Sequence, residues 1–238
     1  MEVDNTQSLY AAYNQLTAEP HADGRGSIYV FSAAQTGAGT SFVAREMALI
    51  AAQGLTDGGQ VLLVDMDISQ NSQFAYFSSL ETQSRLGATS GPYDACFGAT
   101  PFWQVTPSMV GENGQIISES QFMSLHMVQD RSLAYTCFHW ENFRDGHTVQ
   151  LQNSRDYWNK LRDHFSAVFI DTPALDRSDV LSTIVGEADS SILVSATSMS
   201  QDAGLGAAHR RIISLRGSCA GVILNDGPER VAEYGGAL

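Results

Sequence analysis

Residues 28–41 of the sequence, IYVFSAAQTGAGTS, restrict the fold more than any other stretch. Four apolar residues, Ile28 to Phe31, run into a turn of small residues that contains Gly37 and Gly39. A helical pattern follows, with Phe42, Val43, Met47, Ala48, Ile50 and Ala51 apolar. A strand that feeds a helix through a glycine turn is the layout of a phosphate-binding loop. Its usual residue string is G-x-x-x-x-G-K-[ST], in which the lysine reaches the β/γ-phosphates. Here Gly39, Thr40 and Ser41 fill the last three places, so a threonine stands where the cation belongs.

No shift of alignment restores that cation, because Lys160 is the only lysine in the chain. Arg45 lies one turn beyond Ser41, and a regular helix points it away from the loop. Losing a charge-assisted lysine contact costs about 1.5–3 kcal/mol of binding, or roughly 10- to 150-fold in affinity. The loss in phosphoryl-transfer rate is expected to be larger, since transfer depends on stabilising charge as it moves.

Length sets the frame for the rest. At 238 residues the chain is expected to form one α/β domain, large enough to bury roughly 70–75% of its unfolded surface. The expected division is an N-terminal helix and connector over 1–26, an α/β domain over 27–226 and a short tail over 227–238. A net charge of −13 disfavours nucleic acid as a partner. No apolar run approaches the ~20 residues of a membrane span. The start, MEVDNTQSLY, has neither a basic nor an apolar leader region, so a cytoplasmic location without membrane insertion is expected. Cys96, Cys137 and Cys219 are widely spaced and read as free thiols. The six histidines show no H-x-x-x-H spacing and read as solvated or packed side chains.

Along the chain, 5–17 reads as a helix, 27–32 as the first strand and 40–53 as the first helix of the domain. Val61 to Val64 is a continuous apolar run, as in a strand covered on both faces, and it ends in Asp65-Met66-Asp67. Residues 69–130 give a weaker signal: a short helix over 71–80, a Gly/Ser/Thr-rich segment over 87–98, a strand over 102–105 and a helix over 119–128. Another strand is expected over 133–138 and a helix over 148–164. Ala167 to Ile170 reads as a strand ending at Asp171-Thr172-Pro173. A helix over 179–187, a strand over 191–195, a helix over 201–215 and a strand over 220–224 follow, with Asn225 after the last. Strands alternating with helices predict a doubly wound, mainly parallel sheet with helices on both faces.

These residues carry a likeness. The chain resembles the MinD/ParA-like branch of P-loop ATPases, and within it the bacterial tyrosine kinases that are cytoplasmic partners of polysaccharide co-polymerases. FSAAQTGAGTS resembles their phosphate loop, VLLVDMDIS a second motif with Asp-x-Asp, and AVFIDTPA a third with Asp-Thr-Pro. ADSSILVSA and CAGVILND match the order of their last two strands, and the 5–17 helix sits where they have one. The likeness spans the chain but is only positional over 70–147.

The resemblance implies nucleotide contacts from Gly37, Ala38, Gly39, Thr40, Ser41 and Asn225, and Mg²⁺ held by Ser41, Asp65, Asp67 and Asp171. The departures imply that these are weak or vestigial. Thr40 replaces the lysine, Gln35 replaces the additional lysine of ParA-like ATPases, and Ala174 replaces a second proline. There is no Glu-x-x-Arg-x-x-Arg string in the first helix, and Tyr234 stands alone where the kinases have a tyrosine cluster. No catalytic residue is assigned. One reading is a catalytically impaired partner or regulator in exopolysaccharide biosynthesis or export, docked on a co-polymerase or another export protein and able to self-associate. Its alternatives are an atypical Mg-ATP/ADP-binding ATPase or tyrosine autokinase that borrows a cation, and a MinD/ParA-type positioning protein.

Overall fold

The structure, a computed structural model, describes residues 5–17, 24–55, 58–108, 118–129, 131–199 and 203–225. The tail with Tyr234, and most of the connector after the first helix, lie outside the described residues. Ten strands are described: β1 (Ser27–Ala33), β2 (Val61–Asp65), β3 (Thr89–Asp94), β4 (Trp103–Thr106), β5 (Met123–Val128), β6 (Leu133–Phe138), β7 (Thr148–Leu151), β8 (Ala167–Asp171), β9 (Ser190–Ala196) and β10 (Cys219–Asn225). The α-helices are α1 (Asn5–Leu16), α2 (Thr40–Gly54), α3 (Ser72–Ser78), α4 (Leu80–Leu86), α5 (Arg155–His164), α6 (Leu181–Ile184) and α7 (Ala203–Ser214). None is long and apolar enough to cross a membrane.

Eight strands form one sheet in the order β10-β9-β1-β8-β2-β6-β5-β3, and β4 pairs with β7 in a separate ribbon. Pairing is parallel from β10 to β6 and antiparallel from β6 through β5 to β3. This is the single α/β P-loop fold expected, with two antiparallel strands added at one edge. Side chains alternate across the sheet. Ile28, Val30, Leu62, Val64, Val168 and Ile170 therefore enter one core, under α5 and α7. Tyr29, Phe31, Val61, Leu63 and Phe169 enter the other, under α2, against which α1 packs.

Three expectations fail. Residues 148–164 are not one helix: Thr148–Leu151 pair with β4, and the helix starts only at Arg155. Residues 119–128 hold a 3-10 turn, Glu119–Gln121, and then β5. The helix expected over 179–187 keeps only Leu181–Ile184, and the Gly/Ser/Thr-rich segment 87–98, for which no element was expected, contains β3. β7 pairs with β4 across 42 to 48 positions of chain and β5 with β3 across 30 to 39, outside any window that local periodicity reads.

Candidate phosphate site

The strand register assembles the site. Asp65 pairs with Asp171 as the last residues of β2 and β8, so in-register parallel pairing sets the two carboxylates side by side. Phe31 of β1 pairs with Asp171 on its other side, and two residues later the chain leaves β1 for the loop. The loop closes into α2 at Gly39, whose φ of 85° is a left-handed conformation that suits glycine. A Cβ there would also meet Nδ2 of Asn225 at 2.0 Å. That same Nδ2 donates to the carbonyl of Ala38 at 3.1 Å. Asn225 thus lies against the loop backbone rather than standing off it.

A cleft of about 340 Å³ opens over this turn. Gly37, Gly39, Thr40, Ser41, Asp67, Arg177 and Asn225 are among its lining residues. The structure therefore brings Gly37, Gly39, Thr40, Ser41, Asp67 and Asn225 to one cleft, with Ala38 buried beneath the loop. Asp65 and Asp171 lie behind it, buried to 2% and 0% exposure.

The carboxylates are already engaged by the protein. Asp65 accepts from the backbone N–H of Asp67 at 3.0 Å and of Gln73 at 3.1 Å. Asp171 Oδ2 accepts from Gln73 Nε2 at 2.7 Å, and the same amide reaches the carbonyl of Ser41 at 3.1 Å. Gln73 Oε1 accepts from Arg45 at 3.4 Å, and that guanidinium lies 3.7 Å from the centre of the Tyr76 ring. Arg45 does turn away from the loop, but inward, toward the acid pair. Asp171 Oδ1 has no hydrogen-bond partner.

Desolvation dominates the electrostatics of this pair. Burial, then repulsion from Asp171, pushes Asp65 well above the ordinary carboxylate range, against hydrogen bonds from the Gln73 and Asp67 backbone. Burial also raises Asp171, to about 6, although Ser41, Gln73 and Arg45 all favour its charged form. Asp67 is different. Arg177 donates to both its oxygens, at 2.6 and 3.1 Å, and Ser69 adds a hydroxyl at 2.8 Å. At the loop, Asp176 accepts from the backbone N–H and the hydroxyl of Thr36, each at 2.9 Å, and the N–H bond in particular holds its pKa down. An exposed carboxylate of the chain itself thus takes one of the N–H groups at the mouth of the cleft.

Gln73, Arg177 and Asp176 escaped the sequence reading. Asp176 and Arg177 follow Asp171 within six residues, and charged residues so close behind a strand-end aspartate are a usable signal. Gln73 has no such signal, since its role depends on α3 returning over β2.

Oxygen donors of this kind suit a hard cation: the free Asp171 Oδ1 with the Ser41 hydroxyl nearby is a fitting start for Mg²⁺. The remaining carboxylate oxygens of Asp65 and Asp67 already accept hydrogen bonds, and the cleft offers Arg177, but no lysine, to a phosphate.

No protein-family model matches the sequence, and no curated protein sequence matches it. Solved structures do match in fold. The kinase domain of the Escherichia coli tyrosine kinase ETK is 13% identical, with a TM-score of 0.58, over 98% of this chain and 80% of that one. The BceF tyrosine kinase domain is 18% identical, with a TM-score of 0.57, over 94% of this chain and 78% of that one. The VpsO kinase domain is 15% identical, with a TM-score of 0.53, over 94% and 97% respectively. At such identities the likeness is one of fold.

Proposed function

We propose that this chain is a P-loop protein with impaired phosphoryl transfer, acting as a protein-binding partner or regulator. The observation that carries the reading is Gln73. Its amide binds the Asp171 carboxylate and the first turn of α2, while Thr40 supplies no charge to replace the lysine. Thr40 is itself almost fully buried, so it offers the cleft little more than one hydroxyl. The resemblance of the three strand-end motifs to bacterial tyrosine kinases supports placing the partner among polysaccharide co-polymerases or other export proteins, on the cytoplasmic side of the membrane. In this reading the fold supplies a docking shape, and self-association is compatible with it.

Calorimetric titration with Mg-ATP and Mg-ADP tests the reading. The natural chain is expected to bind weakly or not at all, and Thr40→Lys to gain roughly 10- to 150-fold, the equivalent of a lysine–phosphate contact of about 1.5–3 kcal/mol. Micromolar binding with phosphate release or autophosphorylation by the natural protein overturns it.

A second reading has one observation in its favour. Arg177 lines the cleft and holds Asp67, so a guanidinium stands where an incoming phosphate would pass. An atypical ATPase or autokinase could use that cation, with Mg²⁺ on Ser41 and Asp171. It predicts that Arg177→Ala abolishes a partner-stimulated activity, whereas the first reading predicts no activity to abolish.

A further inference from the structure

Beyond β2 in the sheet, the antiparallel pairing of β5 with β6 brings metal-ligating side chains together. Ser124 of β5 pairs with Cys137 of β6, and His126 with Tyr135. Because side chains alternate along a strand, residues 124, 126, 135, 137 and 139 share one face of this hairpin. On that face a ligand atom from each of His126, Cys137 and His139 lies within 4.8 Å of the others. The Ser124 hydroxyl sits between the two rings, 2.9 Å from Nε2 of His126 and 2.7 Å from Nε2 of His139. Both Nε2 atoms therefore point at one spot.

The surroundings match what a bound ion needs. Nδ1 of His139 lies 2.7 Å from the Glu141 carboxylate. A ligating histidine commonly donates its second ring nitrogen to such a carboxylate, which fixes the ring and raises its basicity. The backbone is held as well: the N–H of His139 donates to the carbonyl of Phe122 at 2.8 Å. Phe74 of α3 and the Tyr135 ring flank His126, at 5.4 and 5.5 Å between centroids, and leave its Nε2 directed at the cluster. Cys137 is buried, while the two histidines are only partly covered, so an ion has an approach from their side.

We propose that His126, Cys137 and His139 form a binding site for a thiolate- and imidazole-seeking transition-metal ion of the Zn²⁺ class. Two nitrogens and one sulfur suit such an ion and not Mg²⁺ or Ca²⁺. Tetrahedral bonds of about 2.0–2.1 Å to nitrogen and 2.3 Å to sulfur put ligand atoms roughly 3.3–3.6 Å apart, so the three atoms, now within 4.8 Å of one another, draw together on binding. The Ser124 hydroxyl or a water completes four ligands, and Cys137 gives up its thiol proton to solvent on binding. The spacing H-x10-C-x-H carries the pattern in the sequence, but only a strand, with its period of two, puts those residues on one face.

Cobalt(II) titration of chelator-stripped, reduced protein reads this directly. One equivalent is expected to produce a thiolate-to-cobalt charge-transfer band and tetrahedral d–d bands, and Zn²⁺ is expected to displace both. Cys137→Ser should abolish the charge-transfer band, and the double variant Cys96→Ser/Cys219→Ser should retain it. His139→Ala, at the rim of the cluster, should weaken binding at least tenfold, and Glu141→Gln roughly tenfold. Circular dichroism melts of the metal-free variants establish that they fold. Absence of the charge-transfer band in the natural protein, or equal binding by folded Cys137→Ser or His139→Ala, overturns the site. None of these readouts involves nucleotide, so the result stands apart from the fate of the proposed function.

Discussion

Between β9 and β2 the sheet is parallel, and each strand is a short apolar run buried on both faces. Beyond β6 it turns antiparallel, and there β5 reads MSLHMV and β3 reads TSGPYD, the latter largely exposed. The parallel half gathers carboxylates at its strand ends. The antiparallel edge gathers histidine and cysteine on a strand face. The difference is one of geometry: the parallel strands, covered on both faces, present only their carboxyl ends to a ligand, whereas β5, nearer the sheet edge, leaves His126 partly uncovered on its face.

The β4–β7 ribbon packs into the same core as the parallel strands, so the largest effects are expected at two matched aromatics. Phe102, next to β4, stacks on Trp158 of α5 at 5.2 Å and meets Tyr157 edge-on at 5.5 Å. Phe169 in β8 plays the matching part in the parallel half, 5.5 Å from Tyr29 and 6.0 Å from Phe31. Both are fully buried. Phe169→Ala and Phe102→Ala are each expected to cost about 3–5 kcal/mol in urea unfolding, as one cooperative transition. If Phe102→Ala leaves the main transition in place and adds a separate early one, the β4–β7 ribbon unfolds independently of the parallel sheet.

A smaller effect, confined to the parallel half, comes from its buried acid. Folding raises Asp171 from 3.8 to about 6, chiefly by burial. The folded state therefore holds a proton that the unfolded chain has released across that window. Stability from this group is intact below pH 4, falls as pH rises through 4 to 6, and stays reduced above that. Asp171→Asn cannot titrate and still offers an oxygen to Gln73. It is expected to be more stable than the natural protein by about 1–3 kcal/mol at pH 8, with the gain vanishing near pH 4. Urea denaturation at both pH values checks it. A variant less stable at pH 8 would mean that the charged carboxylate is well compensated, with Arg45 and Gln73 outweighing burial.

The same contrast explains what could be read in advance. The strands holding Val61–Val64 and Ala167–Ile170 announce themselves, because a strand covered on both faces needs no partner to be recognised. Their aspartates follow by position, since a strand end in such a sheet is a known place for a ligand. Thr40 was legible as a missing cation for the same reason. What stayed hidden depends on distant pairing. Thr148–Leu151 alternate in exposure, yet sit beside enough apolar residues to mimic a helix. Gln73 looks like an ordinary helix residue until α3 lays it against Asp171. The histidines escaped because helical spacing was the pattern sought, while a hairpin was the element that carried them.

Two arginine–aspartate pairs give the finest test of whether location or chemistry sets the worth of a contact. Arg177 and Asp67 meet in the cleft, with the Asp67 side chain 9% exposed. Arg211 of α7 and Asp179 meet at 2.7 Å on the surface, with side chains 45% and 57% exposed. Exposed pairs are worth little, because water screens them and ordering two side chains costs entropy. Arg211→Ala is therefore expected to change stability by less than about 0.5 kcal/mol, and raising the salt concentration should shrink even that. The pair nonetheless joins α7 to the segment before α6. A loss above about 1 kcal/mol in urea unfolding, insensitive to salt, would show that the guanidinium stem packs there, and that the contact is held by apolar cover and not by charge.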